Sequence, residues 1–182
     1  MRGSSRGRRR LMRERGQALV EFILLLPVFL AITFGLIEFG KGFNYWIDLT
    51  HLANEGSRYA SVQWFPGCGK ADGSSCTPTN LKLYLQGQGA TDELRNGGTA
   101  YIEDPMQVDI CYPPPGTGLT SGQVGTPIRV TVTTHYKLPV LDGALGLAGL
   151  DDLGELEMSS SSTMRLERTV SNSRMGGAPP AC

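Results

Sequence analysis

Residues 17–40 read QALVEFILLLPVFLAITFGLIEFG, and this stretch decides how the rest of the chain is interpreted. No charged side chain occurs between Phe22 and Ile37. As an α-helix, 24 residues span about 36 Å, which is enough to cross a hydrocarbon core of about 30 Å. The sequence therefore predicts a transmembrane helix over residues 17–40, in which Pro27 loosens or kinks the backbone.

The charge of the chain is balanced overall but unevenly distributed. The 182 residues contain 17 basic and 17 acidic side chains. Residues 1–16 hold seven Arg against the single acid Glu14, so this basic leader carries +6, and residues 17–182 carry −6. Because a basic flank stays in the cytoplasm, we expect a single-pass protein of the inner (cytoplasmic) membrane with an extracytoplasmic C-terminal domain. Confinement of the basic excess to the leader argues against nucleic acid as a partner.

Two acidic side chains interrupt the apolar segment. A carboxylate at the centre of a bilayer costs about 2.5 to 3.5 kcal/mol on insertion scales. Glu38 lies near the far end, where we expect a solvated boundary residue. Glu21 has no cation on its own helical face, so it is either an incidental interfacial residue or a group that is paired by another subunit.

The helical pattern continues beyond the membrane segment. Apolar and small residues recur at spacings of four and three, and polar residues recur in the same way on another face. The first set is Tyr45, Leu49, Leu52, Gly56 and Tyr59, and the second is Asn44, Asp48, His51, Glu55 and Arg58. The sequence predicts an amphipathic continuation over residues 41–64, within one helix from about Gln17 to about Gln63 that ends before Pro66 and Gly67.

The remainder of the chain predicts an extracytoplasmic α+β domain over residues 65–171. Three segments have strand character, and the second alternates apolar with polar side chains throughout its length. These segments are Met106–Tyr112, Ile128–Leu138 and Leu156–Leu166. We therefore expect the long N-terminal helix to pack on an antiparallel sheet of at least three strands. A short helix is predicted over residues 80–86, and a loop or short helices over residues 138–154 to cover a sheet edge.

Four cysteines in an exported domain point to disulfide bonds. Three connectivities are open. We prefer Cys68 with Cys76, which closes the shortest loop, and this leaves Cys111 for Cys182. The tail over residues 172–182 is expected to be flexible unless Cys182 ties it down. Neither the cysteines nor the two histidines have metal-ligand spacing, so we expect no metal and no cofactor.

The string from Arg15 to Phe22, the apolar helix and the later AlaAsnGluGlySerArgTyrAla resemble the TadE-like family of Flp (Tad) pilus pseudopilins. The resemblance covers residues 13–60 most strongly. It implies a minor pilin or pseudopilin that is processed by a prepilin peptidase and acts in pilus assembly or adhesion. The implied partners are that peptidase, other Tad pilins or pseudopilins, the pilus assembly platform and the membrane.

The same resemblance implies a cleavage site between Gly16 and Gln17, and an assembly role for Glu21 and Phe22. Glycine lacks a Cβ and allows close approach of a peptidase to the scissile bond. Cleavage would remove the basic leader and place a cationic α-amino group on Gln17, four residues before Glu21. In an assembly of staggered helices, Glu21 of one subunit could pair with the amino group of another.

Other functional classes fit the sequence less well. A secretory signal peptide has a shorter apolar core and a small-residue cleavage site, whereas this core leads into a further helix. An enzyme would need more than His51, His135 and Ser57, because no nucleophile-elbow, HExxH or phosphate-binding motif surrounds them. The alternative that stays open is a single-pass membrane-anchored binding or sensor protein that is not cleaved at Gly16.

Overall fold

The computed structural model describes residues 6–68, 76–114, 120–146, 154–170 and 172–182. The chain divides between Gly40 and Lys41 into two compact units. Helix α1, Arg6–Val62, belongs to both. It begins earlier than the expected start near Gln17, because the leader is rich in Arg, which favours helix. At its C-terminal end, Gln63 adopts a positive φ of 56°, a left-handed conformation that commonly terminates helices.

A three-stranded antiparallel sheet forms the centre of the second unit, and its strand order is β1-β2-β3. The strands are β1, Gln107–Cys111, β2, Pro127–Lys137, and β3, Glu155–Arg165. Val130 of β2 is opposite Ile110 on one side and Ser162 on the other. The observed strands lie within a residue of their expected ends, so the α+β prediction of a long helix and an antiparallel sheet is confirmed.

The core of this unit lies between one face of α1 and one face of the sheet. The alternation predicted for β2 holds, because Ile128, Val130 and Val132 are buried while the intervening side chains are more exposed. On α1, the expected apolar face is buried at Tyr45, Leu49, Leu52 and Gly56, and Tyr59 is half-buried. An ideal Cβ on Gly56 would lie 2.6 Å from Leu85 Cδ1 and 3.0 Å from Val130 Cγ1. Glycine at this position therefore permits close approach of the helix to the sheet.

The described part of the second unit also contains four short helices. Helix α2, Leu81–Gly87, corresponds to the helix expected over residues 80–86, and Asn80 caps it by accepting a hydrogen bond from Leu83 N. Helix α3, Asp92–Asn96, was not predicted, although Thr91 followed by two acids is a recognised start signal. Helix α4, Pro139–Gly146, follows β2, and helix α5, Asn172–Met175, begins the tail.

The C-terminal tail is attached to the end of β1. Cys182 is bonded to Cys111, the N–H of Tyr112 donates to Pro180 O at 2.8 Å, and the N–H of Cys182 donates to Tyr112 O at 2.9 Å. The sequence predicts a flexible tail unless Cys182 ties it down, and in the structure the Cys111–Cys182 bond does so. Parts of the predicted leader and of the expected loops, residues 1–5, 69–75, 115–119 and 147–153, lie outside the described residues.

Candidate functional site

The Gly16–Gln17 peptide lies within α1, close to the start of the apolar segment. The side-chain amide of Gln17 donates to Glu21 Oε1 at 3.1 Å, one helical turn further along. Glu21 and Phe22 are both exposed on the helix surface. The structure therefore keeps the four predicted residues together on two turns of a single helix, with the carboxylate of Glu21 facing the segment that cleavage would expose.

The apolar segment that follows is exposed within its own unit. Helix α1 contains one stretch that is long and apolar enough to cross a membrane, judged by length and composition, and none of its most apolar window is buried inside the protein. Among the large side chains on this surface are Leu24, Phe29 and Leu36. An apolar surface of this extent is expected where lipid or partner helices replace water. It is consistent with single-pass anchoring.

The interpretation of Glu38 as a solvated boundary residue is wrong. This side chain is only 2% exposed. A pattern read along one helix cannot show how far a side chain is exposed in the folded chain.

The polar face of α1 in the second unit carries a chain of interactions. The N–H of Ala90 donates to Asp48 Oδ2 at 2.8 Å, which joins the helix to the start of the α3 region. His51 Nδ1 lies 3.7 Å from Glu55 Oε2, as expected for neighbours on a polar face. The Tyr59 hydroxyl donates to Glu55 Oε1 at 2.6 Å. Burial, followed by this hydrogen bond and the Glu55 charge, raises the pKa of Tyr59, so Tyr59 stays a neutral donor.

This polar face borders a groove of about 760 Å³ between the end of α1 and the end of β3. Its lining combines charged side chains with two aromatic rings, and includes His51, Glu55, Arg58, Tyr59, Trp64, Met164 and Glu167. The N–H of Glu167 donates to Ser61 O at 2.9 Å and holds the two walls together. Sequence reasoning missed this groove because its walls are about 100 residues apart in the chain.

The residues that could have formed a hydrolytic triad lie in different environments. Ser57 is buried, and its hydroxyl donates to Asn54 O at 2.9 Å and lies 2.9 Å from Ser162 Oγ. His51 is on the exposed face of α1, and His135 is on the exposed face of β2 with its Nδ1 3.3 Å from Glu155 Oε1. Ser57 is thus a packing contact between α1 and β3.

Two disulfide bonds are present, Cys68–Cys76 and Cys111–Cys182, and they join the pairs preferred from the sequence. The first closes a loop between cysteines eight residues apart, and the second connects β1 with the chain end 71 residues later. Within the described ranges, no group of three or more His, Cys, Asp or Glu side chains could hold a metal ion.

The comparison with known proteins concerns α1. Residues 16–58 match a family model described as TadE-like protein. The match begins at Gly16 and ends at Arg58, so it includes the predicted cleavage site, the apolar segment and most of the amphipathic continuation, and it confirms the resemblance over this range. It suggests a pilin-like protein associated with a Tad pilus. No curated protein and no solved structure matches the chain.

Proposed function

We propose that this chain is a minor pilin or pseudopilin of a Tad (Flp) type pilus, processed by a prepilin peptidase between Gly16 and Gln17. The observation that carries the proposal is that the TadE-like match starts at Gly16, where the basic leader ends and the apolar helix begins. Its partners are other Tad pilins or pseudopilins and the pilus assembly platform. The inner membrane holds it with the second unit on the extracytoplasmic side.

Processing at this site requires the helix to open locally. A peptidase acts on an extended backbone, whereas the Gly16–Gln17 bond lies inside α1. Glycine within a helix costs about 1 kcal/mol relative to alanine, so Gly16 lowers the cost of opening the helix locally. The same glycine thus assists unwinding and allows close approach to the scissile bond.

Cleavage creates the group through which we expect subunits to pair during assembly. The new α-amino group of Gln17 is a cation at the edge of the membrane, and Glu21 already accepts a hydrogen bond from the Gln17 side chain. In low dielectric, an unpaired carboxylate is costly and a matched pair recovers much of that cost. Pairing of Glu21 in one subunit with the amino group of its neighbour would set the register between helices. Phe22, exposed beside it, would pack in the same contact.

We also infer that the chain works through contacts and carries out no chemistry of its own. The burial of Ser57 away from the exposed His51 and His135 supports this part of the proposal. The alternative, an uncleaved single-pass binding or sensor protein, would retain residues 1–16. An adhesive role would use the exposed loops of the second unit and would leave the processing step unchanged.

The deciding measurement is the intact mass of protein from membranes that contain the cognate peptidase. We expect loss of residues 1–16 only, and a block of cleavage when Gly16 is replaced by Leu. An uncleaved wild-type chain would favour the anchored binding protein. Deletion of the gene that encodes this chain should abolish or alter piliation while the major pilin is still expressed.

Assembly is tested separately with Glu21→Ala. This variant should be cleaved normally but should no longer co-purify with its partner pilins. Glu14→Ala is the matched control, because it removes an acid from the leader that cleavage discards, and it should assemble like the wild type. Normal assembly of Glu21→Ala would remove the pairing mechanism.

The extracytoplasmic location of the second unit can be tested through its disulfides. Oxidising compartments form and preserve disulfide bonds, whereas the cytoplasm keeps thiols reduced. Mass analysis of alkylated, non-reduced protein from cells should find no free thiols among Cys68, Cys76, Cys111 and Cys182. Four alkylated thiols would place this unit in the cytoplasm and contradict the orientation.

A further inference from the structure

The surface of α1 remains apolar for two turns beyond Gly40 on one side only. Phe43, Trp46 and Ile47 are 53%, 46% and 50% exposed. The neighbouring side, which carries Gly42, faces the sheet, since an ideal Cβ on Gly42 would lie 3.1 Å from Tyr136 Cε1. The Phe43 and Trp46 ring centroids are 5.8 Å apart. The three exposed side chains, here called the aromatic face, form one patch.

We propose that the aromatic face lies in the lipid headgroup layer on the extracytoplasmic side. This inference rests on the proposed membrane anchoring and extends it beyond Gly40. We expect lipid to contact the aromatic face. The alternative that the experiment below tests is contact with a neighbouring protein helix.

The length of the helix supports this depth. If the hydrocarbon core begins directly after Glu21, a core of about 30 Å takes up about 20 residues of helix, from residue 22 to about residue 41. The headgroup layer adds about 5 to 7.5 Å on each side, or three to five residues. An ordinary tilt of about 20° extends this range by about one more residue. The aromatic face falls within the layer.

The burial of Glu38 removes the main objection to this depth. In this arrangement Glu38 lies inside the hydrocarbon region, where a lipid-exposed carboxylate would be costly. It is only 2% exposed, and an ionisable side chain at this level is tolerated when it is not exposed to lipid.

The chemistry of the patch fits an interface between hydrocarbon and water. Tryptophan concentrates at this level because its ring is apolar and its indole N–H can donate to polar groups. Among the described residues, nothing accepts a hydrogen bond from the Trp46 N–H, which leaves it available to lipid oxygens. Lys41 lies two residues before Phe43 in the chain, and its Nζ is 3.7 Å from the centroid of the Tyr101 ring.

Other elements expose apolar side chains at the same end of the unit. Tyr136, which lies against Gly42, is paired in register with Leu156 of β3, and Leu156 is exposed. Helix α4 begins two residues after β2 ends and exposes Val140 and Leu141. A soluble domain end would be expected to present polar side chains here, whereas a surface in contact with lipid gains from apolar ones.

The chain contains two tryptophans, and this allows a direct test by fluorescence. The Trp64→Phe variant reports on Trp46 alone, and Trp46→Phe reports on Trp64 alone. Each full-length variant is reconstituted into phosphatidylcholine–phosphatidylglycerol vesicles whose acyl chains carry bromine either near the headgroup or near the bilayer centre. We expect shallow bromine to lower Trp46 emission at least two-fold and deep bromine to have a smaller effect. Trp64 should be unaffected by either lipid.

A third variant separates failure of this inference from failure of membrane anchoring. Phe29→Trp, combined with Trp46→Phe and Trp64→Phe, places the reporter in the middle of the apolar segment and should be quenched by deep bromine. Quenching at residue 29 without quenching at residue 46 would overturn the aromatic face as a lipid site while anchoring stands, and would indicate a protein partner. No quenching at either position would overturn both proposals.

Discussion

The two halves of α1 share one backbone but not one environment. Residues 17–40 expose large apolar side chains around the helix, whereas residues 41–62 bury one face against the sheet and leave the other polar. Leu36 is 70% exposed and Leu49 is 0% exposed, although both lie in the same helix. The first half of α1 therefore depends on apolar surroundings outside the chain, whereas the second half packs its apolar face against the sheet of the same chain. Substitutions of the same kind should therefore have different consequences in the two halves.

The largest expected effect is the loss of a buried leucine. Leu49→Ala leaves a cavity between α1 and the sheet and should destabilise the second unit by about 2 to 5 kcal/mol. Leu36→Ala is the matched control and should leave the unfolding of this unit unchanged. Both full-length variants are unfolded by denaturant in detergent micelles and followed by near-ultraviolet circular dichroism. Equal losses would show that the two halves are not distinct.

Alanine substitutions at two glycines test the same difference between the halves of α1 with a smaller change. Gly56→Ala introduces a Cβ 2.6 Å from Leu85 Cδ1, and overpacking of this kind costs about 1 to 3 kcal/mol. The gain in helix propensity, about 1 kcal/mol, offsets part of that cost. Gly40→Ala has no atom within 4 Å of the new Cβ and should not destabilise the protein. A Gly56→Ala protein as stable as the wild type would contradict the close helix–sheet approach.

The smallest expected effect concerns the ion pair between Lys137 and Glu103, near the end of β2. Hydrogen bonding and charge from Lys137 hold the pKa of Glu103 below its usual value of 4.5. Its contribution to stability is therefore present above that value and is lost as the pH falls through the lowered pKa. Because both groups are at the surface, we expect a small decrease in the unfolding midpoint on acidification.

The control for this ion pair is Lys137→Gln, which should reduce the acid sensitivity, while a variant in the apolar segment such as Leu36→Ala should retain it. Unfolding midpoints measured from pH 7 to pH 3 provide the comparison. An unchanged pH profile in Lys137→Gln would show that the pair contributes nothing to the folded state.

The match to the TadE-like family covers residues 16–58 of α1. The groove between α1 and β3 lies partly within this range, through His51, Glu55 and Arg58, and partly beyond it, through Met164 and Glu167.

Local patterns in the sequence determined the anchor, the helical continuation and the three strands. A charge-free apolar run, a spacing of four and three, and a strict alternation such as that of β2 each depend on neighbours within one element. The physical cause is local geometry, which the residues of that element impose on one another. For this reason the fold class and the helix that contains Glu21 could be predicted without coordinates.

Only the tertiary structure decided which residues meet across the chain. Glu38 reads as a boundary acid in the sequence but is buried, and the sequence does not show that Ser57 is buried beside Ser162. The aromatic face could not be recognised from the sequence, because its definition requires knowing that the neighbouring side of the helix, at Gly42, lies against Tyr136. Burial and long-range pairing depend on how whole elements pack, and no single element contains that information.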